Sequence, residues 1–194
     1  GAGDDRLLGS GGNDLLDGGT GDDTISGGTN NDSFFFADNF GNNRVTEQGK
    51  IVELSFNAVT APLTVTIGGS GITVINPAGD EFRLRGATGG LLTLGTGDDI
   101  VYIDDYPPGI LEIRDSGGSD TYYVREGRPA SALSEGRLRI VDSSGDFDEV
   151  IVQQTRSQDP LVLETHRVTN GREILEYDSG IERLTVVGNA GQFG

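Results

Sequence analysis

Apolar side chains recur every nine residues at the start of the chain, at Leu7, Leu16, Ile25 and Phe34. Each follows an aspartate by two residues, so the aspartates share the same spacing: Asp5, Asp14, Asp23 and Asp32. This pattern predicts very short strands, each of which places one apolar residue in a core after a tight turn. Because two nine-residue halves form one coil, we expect turns eighteen residues apart to stack, with Asp5 on Asp23 and Asp14 on Asp32.

Alternating apolar and polar positions continue through the rest of the chain, for example over Leu63–Ile67. Three later stretches each hold two short apolar segments around an acidic, glycine-containing turn: Leu91–Ile103, Leu111–Val124 and Leu138–Val152. Strands of three or four residues between recurrent turns favour a solenoid, whereas the strands of a β-sandwich are usually longer. The irregular spacing predicts loops between coils, such as Arg125–Gly136. We therefore predict an all-β chain, with a parallel β-roll over residues 1–45 and a β-solenoid-like region over residues 46–194.

The net charge of the chain limits the classes of partner that it can bind. Thirty-one acidic residues against fourteen basic ones give a net charge of −17. Such a surface repels nucleic acid and anionic membranes and attracts divalent cations. The chain has no cysteine, which excludes disulfides and thiolate metal sites, and no apolar run approaches the length of a membrane span. We therefore expect neither nucleic-acid binding nor membrane insertion.

The turn chemistry points to calcium. Glycines allow tight turns with positive φ and remove side chains from a crowded cavity, so that backbone carbonyls can point inward. Each turn then adds an aspartate carboxylate, and Ca²⁺ takes six to eight oxygen ligands of this kind. A flexible Gly/Asp-rich linker is the alternative, but a linker has no reason to place apolar residues at period nine.

The first 45 residues resemble the RTX, or hemolysin-type, calcium-binding repeats of secreted bacterial proteins. Residues 45–67 resemble, more loosely, a stretch that follows such repeats in large bacterial surface proteins. The resemblance implies a parallel β-roll, export by a type I system, folding on Ca²⁺ outside the cell and a secreted or cell-surface location. It assigns metal binding to the turn aspartates and glycines: Asp5, Asp14, Asp23, Asp32, Gly3, Gly12, Gly19, Gly21 and Gly28. Two positions depart from the pattern, with Asn30 in place of a glycine and Asn43 in place of an aspartate.

Three later aspartates are further candidate metal ligands. Asp99 ends GTGDD, a copy of the turn Gly19–Asp23, while Asp120 and Asp148 follow other glycine-containing turns. The alternative is an ordinary solvated turn, since acidic pairs are frequent in so acidic a chain. A lone turn would also lack the stacked neighbour that completes a site.

No catalytic constellation stands out in the sequence. His166 is the single histidine, and we interpret it as a surface or packing residue. We therefore expect a non-enzymatic calcium-binding module of a large extracellular protein, such as an adhesin, a surface-layer component or a filament. Because the first repeat begins incomplete at Gly1, we expect a piece of a longer chain whose β-edges meet neighbouring domains or subunits. The alternative is a carbohydrate-active β-helix enzyme module with RTX repeats, in which tyrosines would line a groove for polysaccharide: Tyr102, Tyr106, Tyr122 and Tyr123.

Overall fold

The fold is seen in a computed structural model, which describes residues 1–48, 50–69, 71–85, 89–104, 109–126, 136–142, 147–154, 162–169 and 174–187. These residues form nineteen strands in two mostly parallel sheets and contain no helix. No helix of membrane-spanning length and hydropathy exists within these ranges. The predicted all-β parallel roll and solenoid is confirmed.

Within the described residues, sheet one has ten strands; strands β1–β19 are numbered in chain order across both sheets. From one edge of the sheet to the other they are β1 (Arg6–Gly11), β3 (Thr24–Thr29), β5 (Asn43–Thr46), β9 (Glu81–Arg85), β8 (Gly71–Ile75), β7 (Thr64–Gly68), β11 (Ile100–Ile103), β13 (Thr121–Glu126), β15 (Glu149–Gln154) and β19 (Arg183–Val187).

Sheet two has nine strands in the part of the chain that the structure describes. From edge to edge they are β16 (Val162–Glu164), β17 (Arg167–Thr169), β18 (Ile174–Tyr177), β14 (Gly136–Asp142), β12 (Gly109–Asp115), β10 (Gly90–Thr93), β6 (Lys50–Ala58), β4 (Asn31–Ala37) and β2 (Leu15–Asp17). The chain alternates between the sheets, so one strand from each sheet makes a coil.

The nine-residue period sets the register of the first coils. Leu7 lies beside Ile25 in sheet one, and Leu16 lies beside Phe34 in sheet two, so neighbours are eighteen residues apart. Each pair turns its apolar side chains into the space between the sheets, where Ile25 and Phe34 are fully buried. The expected two-turn coil is therefore observed, and the parallel pairing rules out the antiparallel sandwich.

Among the described residues, two insertions interrupt the coils. The strands around Gly68 and Gly71 are not successive coils, because β7 and β8 form an antiparallel hairpin that β9 extends. In sheet two, β16, β17 and β18 likewise pair antiparallel. The alternation over Leu63–Ile67 thus identified strand β7 correctly, but β8 folds back on it within the same sheet. The loop expected near Arg125–Gly136 lies mostly outside the described residues.

The apolar core is continuous from the first region into the second. Phe36, Phe40, Phe56 and Phe82 pack ring against ring, with centroids 4.9–6.2 Å apart. Strand β4 also pairs with β6, and β5 with β9. Residues 1–45 and 46–194 therefore share one core and both sheets, and the division into two domains at this point stays a prediction.

Candidate metal centre

The predicted aspartates lie at the two edges of the stack, where the chain passes between the sheets. We call the turns that lead into sheet one the first turn column, and those that lead into sheet two the second turn column. Asp5 and Asp23 belong to the first column, and Asp14 and Asp32 to the second. The turns stack at a spacing of eighteen residues, as the sequence predicts.

One carboxylate oxygen of each inner aspartate fixes this stacking. Asp23 Oδ1 accepts the Asp5 N–H, and Asp32 Oδ1 accepts the Asp14 N–H, each over 2.8 Å. Such bonds satisfy backbone donors that the turn would otherwise leave unpaired. They also orient the carboxylate, because the other oxygen must then point away from the N–H.

The second carboxylate oxygens are buried, and within the described residues they lack hydrogen-bond partners. They are Oδ2 of Asp14, Asp23 and Asp32. Burying an unpaired charged oxygen is costly unless a proton or a cation compensates it. Hard carboxylate oxygens are the ligands that Ca²⁺ prefers. These oxygens therefore fit the calcium site that the sequence predicts, while Asp5, at the end of the stack, keeps its side chain 47% exposed.

Glycine provides the room for these oxygens. A Cβ at Gly18 would lie within 3.0 Å of Asp23 Oδ2, and a Cβ at Gly27 would lie within 3.0 Å of both Asp32 Oδ2 and Glu47 Oε2. Any larger residue would displace the carboxylates. These two glycines therefore shape the cavity, although the repeat pattern did not place them among the ligands.

The glycines assigned as carbonyl ligands have the backbone that the turns require. Their φ angles lie between +89° and +120°, a region that L side chains rarely adopt: Gly3, Gly12, Gly19, Gly21 and Gly28. At Gly19 a Cβ would overlap the carbonyl oxygen of Gly1 in the preceding turn. Stacked turns therefore approach closely enough to share carbonyl ligands, and metal binding by these glycines stays a prediction.

The two departures from the repeat have different consequences. Asn30 adopts a φ of +83° and so replaces the glycine without changing the turn. Asn43 Oδ1 accepts the Asp23 N–H at 2.8 Å, while its Nδ2 donates to the Phe40 carbonyl. Asn43 therefore continues the hydrogen-bonded stack, but it has an N–H where an aspartate would have a second oxygen.

The residue before each ligand position points outward. Asp22 is exposed, and its Oδ1 accepts the Asn42 N–H from the next coil at 2.8 Å. Asp98 repeats this arrangement with the Ser119 N–H at 2.9 Å. Asp22 therefore points outward, whereas the next residue, Asp23, is buried in the stack.

The later candidates Asp99, Asp120 and Asp148 are all buried in the first turn column, each 1% exposed. Asp120 Oδ1 accepts the Asp99 N–H at 2.6 Å, and Asp148 Oδ1 accepts the Asp120 N–H at 2.7 Å. The expectation that these turns lack stacked neighbours is therefore wrong. Parallel pairing of β11, β13 and β15 brings the turns together, although they are 21 and 28 residues apart along the chain.

Burial raises the pKa of carboxyl groups in these later turns. Desolvation, aided by the charge of Asp115, raises the pKa of Asp99 to about 8 and that of Asp120 to about 9. Desolvation also raises the pKa of Asp115 to about 6. Without a cation the carboxyl groups of Asp99 and Asp120 therefore hold protons near neutral pH, because low dielectric penalises the ionised form.

Sequence reasoning missed Glu47, Asp115 and Asp142, although all three are buried. Asp115 and Asp142 end strands β12 and β14 and are register partners. Their signal was the repeated Asp-Ser that opens each turn, at 115–116 and 142–143. Glu47 lies outside the nine-residue spacing, so no periodic search would select it.

The residues weighed for catalysis or sugar binding are dispersed. His166 is exposed at the tip of the β16–β17 hairpin, where its ring meets the edge of Tyr177 at 5.5 Å. Tyr122 is buried, whereas Tyr102 and Tyr123 are partly exposed and stack at 5.0 Å. Tyr106 lies outside the described residues.

Comparison with known families agrees with the geometry of the first turns. The model of the RTX calcium-binding nonapeptide repeat matches residues 1–34 in four copies. Such repeats bind Ca²⁺ and occur in secreted bacterial proteins. A comparison with curated proteins gives no match. Residues 1–34 are therefore four RTX calcium-binding repeats, which form the first coils of an all-β solenoid.

Proposed function

We propose that this chain is a non-enzymatic structural module of an extracellular or cell-surface bacterial protein, such as an adhesin, a surface-layer component or a filament, and that Ca²⁺ locks its coils together. The supporting observation is the set of buried aspartate oxygens in the stacked RTX turns that lack hydrogen-bond partners within the described residues. Each coil orders its neighbour through these turns, so a cation between them stiffens the stack.

The mechanism is folding coupled to metal binding. Asp23 in the first turn column, and Asp14 and Asp32 in the second, place carboxylate oxygens in confined turns, and the chain as a whole carries a net charge of −17. Repulsion between carboxylates opposes this arrangement until Ca²⁺ compensates the charge, so the free energy of binding becomes free energy of folding. The turns therefore stay open where free Ca²⁺ is scarce and close where it is plentiful.

An extracellular setting suits this chemistry. Extracellular calcium modules commonly bind with a Kd of about 10⁻⁴–10⁻³ M, and such sites remain empty at the low free Ca²⁺ of a cytoplasm. A module of this kind would pass an export system unfolded and fold outside the cell. The RTX repeats at residues 1–34 support this location.

The exposed strand edges at the start of the stack support a role as one module of a larger assembly. Among the described strands, β1 and β2 each pair on one side only, and they expose Leu8 (60%) and Leu15 (72%). Unpaired β-edges with apolar side chains favour pairing with a further strand. We propose that neighbouring domains or other subunits cover these edges.

The central test is a calcium titration of the 194-residue chain, followed by circular dichroism and limited proteolysis. Chelator should remove β-structure and protease resistance from residues 1–34, and millimolar Ca²⁺ should restore both. Asp23→Asn should weaken calcium binding, whereas Asp22→Asn, which changes the exposed neighbour, should behave like the wild type. Equal effects of the two substitutions would show that general acidity, and not the buried geometry, drives binding.

A saccharide-binding face is the second candidate. Tyr102 and Tyr123 stack with an interplanar angle of 11° beside a groove that includes the Asp104–Arg125 ion pair and Gln153. The groove has a volume of about 220 Å³, which is small for a ligand pocket. Tyr123→Ala should abolish saturable oligosaccharide binding if this face is functional.

The enzyme alternative predicts a different result from the same preparation. If the chain releases reducing ends from acidic or neutral polysaccharides, and His166→Ala abolishes this release, the structural proposal is wrong and the chain is an enzyme. We expect no turnover, because His166 lies exposed in a hairpin tip away from both turn columns.

A further inference from the structure

Within the part of the chain that the structure describes, two groups of buried carboxylates lie beyond the RTX repeats. The first contains Asp99, Asp115 and Asp120, and the second contains Asp120, Asp142 and Asp148. Within each group every residue offers an oxygen within 4.8 Å of the others. All five side chains are at most 3% exposed. Asp120 belongs to both groups, so the groups form a continuous column.

The fold builds this column by a rule that differs from the nine-residue repeat. Strands β12 and β14 end in register at Asp115 and Asp142. Along the chain these strands are followed by Asp120 and Asp148, which stand just before β13 and β15. Each of these two coils therefore contributes two acids to the first turn column, and the coil below adds Asp99.

The hydrogen bonds of Asp99 and Asp120 show which of their carboxylate oxygens can still bind a ligand. Oδ1 of Asp120 is engaged by the Asp99 N–H, and Oδ1 of Asp99 is engaged by the Leu63 N–H at 2.7 Å. The remaining oxygen, Oδ2, of Asp99 and of Asp120 is buried and has no hydrogen-bond partner within the described residues. These are the atoms left to bind a ligand, and they repeat the geometry of Asp23 and Asp32.

Tyr122 lies between the two groups. Its ring is fully buried, and its hydroxyl lies 3.2 Å from Asp115 Oδ2 and 3.5 Å from Asp142 Oδ2. A hydroxyl donor that orients ligand carboxylates is a typical outer contact of a metal site. The side chain therefore links the groups of adjacent coils.

We propose that these five aspartates bind a second column of hard divalent cations, one in each group, with Asp120 bridging the two ions. This inference goes beyond the proposed function, because the ligands lie outside the four RTX repeats. Opposite ligands of a Ca²⁺ ion are about 4.8 Å apart, since each bond is about 2.4 Å long. Three carboxylates per ion favour Ca²⁺ over Mg²⁺, which usually takes one or two carboxylates and keeps its waters.

Terbium luminescence separates this column from the RTX sites. Tb³⁺ replaces Ca²⁺ at oxygen sites and emits when a nearby aromatic ring transfers energy to it. The chain has no tryptophan, and its five tyrosines all lie at residue 102 or later. Tyrosine-sensitised emission should therefore report ions beside Tyr122. We expect bright emission that Ca²⁺ suppresses by competition and that Mg²⁺ at equal concentration leaves largely unchanged.

Asp120→Asn is the decisive variant, because asparagine keeps the Oδ1 that accepts the Asp99 N–H. We expect it to lose two calcium ions in isothermal titration and to lose the sensitised emission. Its melting temperature should rise less on calcium addition than that of the wild type, because only the RTX sites remain. Asp98→Asn, which changes the exposed neighbour of Asp99, should match the wild type. Tyr122→Phe should weaken calcium affinity by about 10- to 100-fold, as outer contacts of metal sites do.

The RTX variant Asp23→Asn keeps the two proposals apart. It should weaken the sites of residues 1–34 and leave the tyrosine-sensitised emission intact. If Asp120→Asn retains the emission and the calcium stoichiometry of Asp98→Asn, the column holds protons instead of cations and the inference is overturned. The RTX proposal would be unaffected by that result.

Discussion

Gly27→Ala tests whether the carboxylate cavity depends on a missing side chain. A Cβ at this position would come within 3.0 Å of Asp32 Oδ2 and Glu47 Oε2 at once. The backbone itself can accept alanine, because the φ of Gly27 lies outside the left-handed region. The substitution therefore crowds the two carboxylates without straining the turn.

The size of the effect follows from two opposing contributions. Replacing glycine by alanine stabilises a chain by about 0.4–1 kcal/mol when the backbone allows it, since the unfolded state loses freedom. Overpacking a buried site costs about 1–3 kcal/mol. Because the crowded atoms are the candidate ligands, we expect this cost to fall on calcium binding. At about 1.4 kcal/mol per factor of ten, it corresponds to an affinity about 5- to 150-fold weaker.

The assay is a calcium titration of β-structure by circular dichroism, with affinities from isothermal titration. Gly11→Ala is the matched control: it lies in β1, also outside the left-handed region, and its Cβ would meet only the Thr29 hydroxyl at 3.3 Å. Replacing glycine by alanine changes the freedom of the unfolded backbone equally in both variants. The difference between their calcium affinities therefore measures the effect of crowding alone. Identical calcium midpoints for Gly27→Ala and Gly11→Ala would refute the cavity.

Three further predictions address the core, the last RTX turn and pH. Phe56→Ala should lower the free energy of unfolding by about 3–5 kcal/mol in a denaturant titration, while Phe147→Ala, at a 45% exposed side chain, should change it little. Asn43→Asp supplies the missing oxygen and should tighten calcium binding; unchanged affinity would mean that this turn is a cap. In chelator, the melting temperature should fall from pH 5 to pH 9, because the raised pKa of Asp99 and Asp120, about 8 and about 9, makes the folded state bind more protons than the unfolded state. A melting temperature that rises over this range would contradict the burial of these carboxyl groups.

The sequence predicted the parts of this fold that repeat locally. The nine-residue spacing identified the register of Asp5 with Asp23, because a coil without insertions places the same turn at the same height every eighteen residues. Alternation over Leu63–Ile67 likewise identified strand β7. It did not show that β7 and β8 pair antiparallel, since a half-buried strand has the same pattern in either direction.

The carboxylates that sequence reasoning missed meet only through long-range pairing. Asp115 and Asp142 are register partners that stand 27 residues apart in the chain. No local sequence pattern specifies how many inserted residues separate one turn from the next turn that stacks on it. Glu47 similarly approaches Asp32 across a coil boundary at a spacing that the repeat does not contain.

The hydrogen bond between stacked turns is more constant than the sequence period. An acidic oxygen accepts the N–H of the equivalent residue one coil earlier at 2.8 Å for Asp5 and Asp23, 2.6 Å for Asp99 and Asp120, and 2.8 Å for Asp148 and Glu182. The corresponding separations along the chain grow from 18 to 21 to 34 residues. The stack therefore tolerates insertions, because the contacts between coils are made at the turn and the inserted residues lie at other positions of the coil. A search for strict periodicity finds the first four turns, whereas the rest are recognised by an acidic residue directly before a short β-strand.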